Sequence, residues 1–367
     1  MESNASTIWQ HRKPMKHTSR AVAAGAITLG FIGGSITDPR SRHNWPEAVI
    51  AWFVERYPGL RVFVENAAIG ATGSELAVFR AKRDLIDRGC DLVFVDYAVN
   101  DGEEPAEKRM RTREGLLRKL LDGDRRDVVL VYTFSQAFYK EMMGGEAPAT
   151  IREFEQLADH YGLGSVWMSL YALEEVKKGR MRWEEWLPDG LHPTERGSLS
   201  YAQSVIAFLE RELRASIAPS ELSSIELPEP LNAAHWAGAY DLPFAAVRLE
   251  GPWTIRRGAH LTWIDRMLES AAVGAKLSFD FQGRGLSLGF DFGRTSAEFR
   301  YRIDDGEWTV SQRDRPAWCG NDGWYRIYSV TDDLVPGEHR FELEVVHGDR
   351  AECTGTNFRL ALIGIVP

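Results

Sequence analysis

The sequence predicts a parallel α/β domain followed by an all-β domain. Between residues 26 and 214, short apolar runs alternate with longer amphipathic stretches of helical period. Beyond residue 230, apolar residues alternate singly with polar ones, as in half-buried strands joined by short turns. With 367 residues and 44% hydrophobic content, the chain is long enough to build two cores.

The first part of the chain has the pattern of five strands separated by helices. The strands are predicted at residues 26–32, 60–65, 91–97, 127–134 and 164–169. The helices are predicted at residues 45–57, 74–88, 106–122, 150–161 and 194–214. This alternation predicts five parallel strands with helices on both faces, and such sheets bind ligands at the carboxyl ends of their strands.

Ser35 follows the first predicted strand, directly after Gly33 and Gly34. A tight glycine turn would lift the serine hydroxyl off the strand end and place the serine N–H at the start of a following helix. A nucleophile is presented in this way. A glycine-rich turn with a capping serine fits the same residues.

The next two predicted strands also end in loops that suit a site. Residues 66–74 are small and glycine-rich, which allows close approach to the backbone, although such loops also simply join a strand to a helix. Asn100 follows the third strand. Its amide is suited either to a developing oxyanion or to a turn.

Asp189 and His192 lie shortly before the last predicted helix. An aspartate three residues ahead of a histidine can hold one imidazole nitrogen while the other nitrogen faces a nucleophile. Pro193 is predicted at the first helical position, where the helix dipole keeps the resting imidazole neutral. A solvated surface histidine is the alternative. Trp183 and Trp186 precede the pair and either form a wall of the substrate pocket or brace the loop.

Together these four loops resemble the motif blocks of the SGNH, or GDSL-type, hydrolase family. The resemblance covers roughly residues 25–215 and implies a flavodoxin-like three-layer α/β/α fold that hydrolyses esters. It implies Ser35 as the nucleophile, His192 as the general base and then acid, and Asp189 as the orienting carboxylate.

The resemblance also implies an oxyanion hole made by the Ser35 N–H, a backbone N–H of the second block and the Asn100 amide. The sequence departs from the family pattern at two positions. The family usually has an aspartate before the serine, whereas this sequence has Gly34. The glycine variant resembles the carbohydrate-esterase branches of the family. The usual oxyanion glycine falls at Ala71, with Gly70 adjacent, so either residue is a candidate for the second N–H.

The composition changes after Ser216. We predict a catalytic domain over residues 1–217, of which residues 1–20 are an arm, and a proline-containing linker over residues 218–230. A β-sandwich of jelly-roll type follows over residues 231–367. Its clearest strands are predicted at residues 276–281, 286–290, 298–303, 339–345 and 359–365.

The second predicted domain resembles the sandwich modules attached to carbohydrate-active enzymes. Its aromatic residues either stack on sugar rings or pack inside the domain. These residues are Trp308, Trp318, Trp324 and Tyr325.

Charge and cysteine content narrow the class of partner. The net charge of −9 argues against a nucleic acid or an anionic membrane. Three separated cysteines show no metal-ligand spacing, and serine chemistry requires no cofactor.

Residues 11–34 superficially resemble a secretory signal, but cleavage there would remove the first strand, so a cytoplasmic protein is predicted. The oligomeric state stays open.

The sequence therefore predicts a serine esterase that removes acetyl or other short acyl groups, with a carbohydrate or small polar ester as its substrate. The same residues also suit a lysophospholipase, a thioesterase or an acyltransferase. A glycan-binding protein that keeps the hydrolase fold without catalysis is a further alternative.

Overall fold

The computed structural model describes residues 7–41, 43–214, 226–258 and 261–367. Most of the predicted linker, residues 218–225, lies outside this part of the chain. Contacts divide the chain into two compact units, Met1–Ala237 and Gly238–Pro367.

The first unit is built on one sheet. Its strands are β1 (Trp9–Gln10), β2 (Ala26–Gly33), β3 (Arg61–Asn66), β4 (Leu92–Asp96), β5 (Asp127–Val131) and β6 (Gly164–Val166). They are arranged in the order β1-β6-β5-β4-β2-β3. Strands β2 to β6 are parallel, which confirms the prediction, and β1 pairs antiparallel with β6. The parallel strands thus follow the flavodoxin-like order 2-1-3-4-5.

The helices of the first unit include all those predicted. They are α1 (Lys16–Ala24), α2 (Trp45–Arg56), α3 (Ser74–Ala81), α4 (Ala106–Leu121), α5 (Tyr139–Met143), α6 (Ala149–Tyr161), α7 (Met168–Lys177), α8 (Trp183–Trp186) and α9 (Glu195–Glu212). A π-helical turn, Lys82–Ile86, continues α3. Local chemistry sets some of the ends. The Asn44 side chain accepts a hydrogen bond from the Glu47 N–H at the start of α2, and Gly162 ends α6 with a φ of +71°.

The start of the chain has more structure than the predicted arm. The segment that contains β1 and α1 is held by contacts with distant residues. The Arg12 guanidinium lies 2.8 Å from the Glu155 carboxylate. The Thr18 N–H and hydroxyl both donate to Asp127 over 2.7 Å.

The first unit also includes residues 226–237, although the domain prediction assigned residues from 231 onward to the second domain. The Leu231 N–H donates to the Glu114 carboxylate over 2.6 Å. Trp236 is fully buried, and its backbone lies so close to α4 that a Cβ at Gly115 would be only 2.6 Å away. This segment therefore packs as part of the first core.

The second unit consists of two antiparallel sheets. Its strands are β7 (Tyr240–Asp241), β8 (Arg248–Glu250), β9 (Thr254–Arg256), β10 (Met267–Ser270), β11 (Lys276–Gly283), β12 (Gly285–Phe292), β13 (Glu298–Ile303), β14 (Thr309–Val310), β15 (Trp324–Thr331), β16 (Gly337–Val346) and β17 (Phe358–Val366). One sheet has the order β15-β12-β17-β10-β9, with β7 also paired to β17, and the other has the order β14-β13-β16-β11-β8. The order β10-β17-β12-β15 facing β11-β16-β13-β14 is that of a jelly roll, as predicted.

The core of the sandwich follows the period of two seen in the sequence. In β11, for example, Leu277, Phe279 and Phe281 are buried, whereas the residues between them lie toward the surface. None of the helices that the structure describes combines the length and apolar character needed to span a bilayer.

Candidate active site

The candidate site lies where the strand order of the first sheet reverses. β2 lies between β3 and β4, so the loops that follow β2 and β4 meet at the crevice where such sheets bind ligands. Ser35 comes two residues after the end of β2, and Asn100 comes four residues after the end of β4. A Cβ at Gly34 would lie 1.9 Å from Asn100 Oδ1, so the Asn100 amide packs directly against Gly34.

This contact gives a physical reason for glycine at position 34. A side chain at position 34 would meet the Asn100 amide, so one of the two groups would have to shift. The absence of a side chain at Gly34 therefore allows the Asn100 amide to lie against the residue that precedes Ser35.

The Ser35 turn differs from the predicted helix start. The Asp38 N–H donates to the Gly34 carbonyl over 3.0 Å, which closes a single turn, and α2 begins only at Trp45. The Ser41 hydroxyl donates to the Ser35 carbonyl. Local hydrogen bonds to the backbone therefore hold the serine, without a long helix directly behind it.

The structure brings Ser35, His192 and Asp189 together in one hydrogen-bonded relay. Ser35 Oγ lies 2.9 Å from His192 Nε2, and His192 Nδ1 lies 2.9 Å from Asp189 Oδ2. Asp189 Oδ1 accepts hydrogen bonds from the backbone N–H groups of Leu191 and His192, at 2.9 and 2.7 Å. With Asp189 on Nδ1, the neutral ring presents its Nε2 lone pair to the serine hydroxyl.

The electrostatics of Asp189 suit an orienting carboxylate. Partial burial raises the pKa of Asp189, but hydrogen bonds from the His192 ring and from the His192 and Leu191 N–H groups outweigh this effect. The pKa of Asp189 therefore lies below its usual value, and the group stays ionised. The Asp189 and His192 side chains are 54% and 47% exposed, so the relay is open to solvent.

The helix after the relay starts later than predicted. α9 begins at Glu195, and the Thr194 side chain caps it by accepting from the Gly197 N–H. Pro193 therefore precedes the helix instead of occupying its first position.

The two backbone donors predicted for the oxyanion hole differ in their surroundings. The Gly70 N–H donates to the buried Asp38 carboxylate over 3.1 Å. Ala71 is exposed and has a φ of +56°, in the left-handed region that favours glycine. The glycine that the family usually has at this position would relieve that strain.

A buried polar layer lies beneath the Ser35 turn. Asp96, at the end of β4, accepts hydrogen bonds from the Thr37 hydroxyl over 2.8 Å and the Thr133 hydroxyl over 3.0 Å. Trp45 Nε1 donates to the Thr37 hydroxyl over 2.9 Å. Burial raises the pKa of Asp96 to about 6. The sequence analysis missed this layer, although a carboxylate ending an otherwise apolar strand was a visible signal.

A second buried network holds the loop that carries Asn100. Asp101 accepts the Ser74 N–H at the start of α3 over 2.8 Å, and the Arg113 guanidinium over 2.8 Å. Both Asp101 and Arg113 are buried. The residue next to Asn100 is thus anchored to two helices.

The two tryptophans before Asp189 have different surroundings. Trp186 is fully buried, and its ring centroid lies 5.0 Å from that of Phe134, so it offers no surface to a substrate and braces the loop. Trp183 is half-buried and lies edge-on to the exposed Tyr139, with ring centroids 5.6 Å apart.

The aromatic residues singled out in the second unit also differ in their exposure to solvent. Tyr325 is buried, so its ring packs in the core. Trp318 is 55% exposed and lies edge-on to Trp324, with centroids 5.2 Å apart. Trp308 is 38% exposed, and two arginine guanidinium groups each lie 5.0 Å from its ring centroid. Whether these rings bind sugars stays a prediction.

Comparison with known proteins adds information on the fold. No family model and no curated protein matches the chain. The chain is similar to the crystal structure of a two-domain esterase active on acetylated mannans, co-crystallised with mannopentaose, with a TM-score of 0.79 and 22% identity. The similarity covers 96% of this chain and 95% of that chain.

Two further structures match. A second crystal structure of a two-domain esterase active on acetylated mannans gives a TM-score of 0.79 at 23% identity, over 95% of this chain and 94% of that chain. An acetyl xylan esterase from Geobacillus stearothermophilus covers 52% of this chain and 96% of that chain, at 20% identity and a TM-score of 0.41. The full-length similarity confirms the predicted fold, an α/β domain with a parallel sheet followed by an antiparallel β-sandwich.

Proposed function

We propose that this protein is a serine esterase that hydrolyses short-chain acyl esters, with acetyl esters of carbohydrates as its substrates. The observation that carries the proposal is the relay of 2.9 Å hydrogen bonds from Ser35 through His192 to Asp189. A serine, an imidazole and a carboxylate in this order form the arrangement that activates a serine hydroxyl.

The proposed reaction is acyl transfer in two steps. His192 Nε2 takes the Ser35 proton as Oγ attacks the ester carbonyl carbon, and the ring then gives this proton to the departing alcohol. Water attacks the resulting acyl-enzyme in the same way and releases the carboxylic acid. Asp189, which stays ionised, stabilises the imidazolium form of His192 in both steps.

The negative charge that develops on the carbonyl oxygen needs nearby donors. We assign this role to the Ser35 N–H, the Asn100 amide and a backbone N–H of the second loop. Within that loop Gly70 and Ala71 are both candidates, and the Gly70 N–H donates to Asp38. If the Gly70 N–H is the donor, it must leave its bond to that buried carboxylate.

The proposed substrate class rests on two observations. The relay is about half exposed, which allows an ester on a bulky alcohol such as a sugar chain to reach Ser35. The full-length fold match is to an esterase active on acetylated mannans. A small acyl group on a large polar alcohol fits both observations.

A series of p-nitrophenyl esters of increasing chain length, run beside acetylated mannan and xylan, tests the proposal. We expect fastest turnover on the acetyl ester, release of acetate from at least one polysaccharide, and loss of both activities in Ser35→Ala. Product analysis with a free sugar acceptor separates hydrolysis from transfer. A folded protein that cleaves none of these esters, or an active Ser35→Ala variant, would contradict the assignment.

A further inference from the structure

Strand β3 is an exposed edge of the first sheet. It ends the strand order beside β2, and none of its six residues is buried. Phe63 is 54% exposed and Val64 is 39% exposed, whereas most of β2 and all of β4 are buried. Proteins usually protect such an edge with a proline, a bulge or charged side chains, and β3 has no proline and carries one charge of each sign, Arg61 and Glu65.

The backbone of β3 leaves a defined set of groups pointing outward. The Arg61 N–H donates to the Gly25 carbonyl and the Ala67 N–H donates to the Phe31 carbonyl, so the odd-numbered residues face β2. Because backbone groups alternate in direction along a strand, the N–H and C=O groups of Val62 and Val64 face away from the sheet.

From this edge we propose that β3 pairs antiparallel with β3 of a second copy of the chain, around a two-fold axis at Phe63. In that register Val62 lies opposite Val64 of the second copy. The two residues exchange two hydrogen bonds, and symmetry repeats the exchange on the other side of the axis. Phe63 then faces its own symmetry mate as a non-hydrogen-bonded pair, with Cα atoms about 4.5 Å apart.

The side chains of β3 are complementary in the same register. Arg61 lies opposite Glu65 of the second copy, and Glu65 lies opposite its Arg61, so the dimer gains two cross-strand ion pairs. Arg61, Phe63 and Glu65 share one face, and the two valines share the other. The two opposite charges of β3 therefore lie at equal distances on either side of the exposed Phe63.

Other registers lose this match. A slip by one residue sets the outward groups of Val62 and Val64 against residues whose own groups face β2. A slip by two residues places Phe63 opposite Arg61 or Glu65 and leaves a charge without its partner. The hydrogen bonds and the charges therefore select the same register, which favours a second copy of this chain over an unrelated peptide.

Sedimentation velocity of the full chain over a wide concentration range is the first test. We expect a dimer, and we expect Phe63→Arg to weaken it at least tenfold, because two like charges then meet on the axis. Met143→Arg is the matched control, since Met143 is an exposed apolar residue elsewhere on the same unit, 46% exposed. A chain that stays monomeric, forms open-ended aggregates, or dimerises equally well with Phe63→Arg would overturn the proposal.

Charge reversal tests the register itself. Arg61→Glu and Glu65→Arg should each weaken the dimer, because each places like charges opposite one another twice. The double variant should restore it. A double variant that dimerises no more tightly than either single variant would overturn the antiparallel register. Recovery of the dimer in the double variant, by contrast, could not be the result of a folding defect.

Cross-linking gives an independent measurement. Phe63→Cys places two thiols on the axis at a separation that a disulfide can bridge, and the native Cys90, Cys319 and Cys353 are all buried. Mild oxidation with copper phenanthroline should convert this variant to a covalent dimer. Met143→Cys should remain largely uncross-linked. Equal cross-linking of the two variants would count against the axis at Phe63.

Discussion

The Ser35 turn has two sides that differ in their access to solvent. On the outer side, the His192 and Asp189 side chains are 47% and 54% exposed. On the inner side, Thr37 and Asp96 are buried. Exposed ion pairs contribute less than about 1 kcal/mol to folding, so the outer side can serve chemistry at little cost in stability. The inner side ties the turn to neighbouring strands, and changes there should appear first in folding.

Asp189→Asn should have the largest effect among variants that test this contrast. An amide at position 189 cannot stabilise the imidazolium and favours the wrong ring tautomer, so we expect turnover to fall on the order of 10³- to 10⁴-fold. The thermal unfolding midpoint should stay close to that of the wild type, because the side chain is exposed. Turnover on p-nitrophenyl acetate and a thermal melt measure the two effects.

The chain offers a matched control for this variant. On the second unit, the Asp304 carboxylate lies 2.9 Å from His339 Nδ1 and accepts the Arg340 N–H over 2.9 Å. This pair repeats the 2.9 Å contact between a carboxylate and an imidazole Nδ1 outside the candidate site. Asp304→Asn should leave turnover unchanged, and equal losses in both variants would refute the relay.

Asn100→Ala should have the next largest effect. Loss of one oxyanion donor typically lowers turnover about 100- to 1000-fold, and KM for the ester should change much less. Asn44→Ala is a useful contrast, because it removes a helix cap and should cost about 1 kcal/mol of stability without changing turnover. Unchanged turnover in the Asn100 variant would mean that its amide only packs against Gly34.

The Asp96→Asn variant tests the buried side of the Ser35 turn through the pH dependence of its stability. Burial raises the pKa of Asp96 to about 6 in the folded protein, against about 3.9 in an unfolded chain. The folded state therefore binds the proton more tightly, and this stabilisation is present below about pH 4 and lost as pH rises through 6. The loss amounts to about 3 kcal/mol.

Urea unfolding of wild type and Asp96→Asn at pH 4.5 and pH 8 measures this difference. The variant should lose less stability over that interval, because it cannot ionise at position 96. Asp127, whose pKa burial also raises to about 6, is present in both proteins and cancels in the comparison. Parallel pH curves for the two proteins would show that Asp96 does not titrate as described.

Ala71→Gly should have the smallest effect and the opposite sign. Relief of the left-handed strain at a φ of +56° should stabilise the fold by about 0.5 to 1 kcal/mol, net of the greater freedom of glycine in the unfolded chain. Gly25→Ala is the mirror control, since Gly25 has a φ of +81° and open space around it. That variant should be destabilised by a similar amount. A less stable Ala71→Gly protein would show that the alanine methyl group makes a compensating contact.

The sequence by itself determined the features that depend on local pattern. The apolar runs and amphipathic stretches placed the parallel strands and their helices, because side-chain period follows directly from backbone geometry. The spacing of Asp189 and His192 also carried its meaning locally, since three residues and a glycine bend suffice to join the two side chains. The strands of the sandwich were visible for the same reason.

Only the tertiary structure decided which distant groups meet. Two contacts join residues that are far apart in the chain, Gly34 with Asn100 and Gly70 with Asp38. The burial of Trp186 likewise depends on distant residues that cover it. The packing of residues 226–237 on the first unit has no period to reveal it. Exposure of β3 depends on the strand order, because an apolar strand looks the same in sequence at the edge of a sheet and at its centre. The local pattern of apolar residues indicates which way each side chain points. The tertiary structure decides which residues that side chain contacts and whether solvent reaches it.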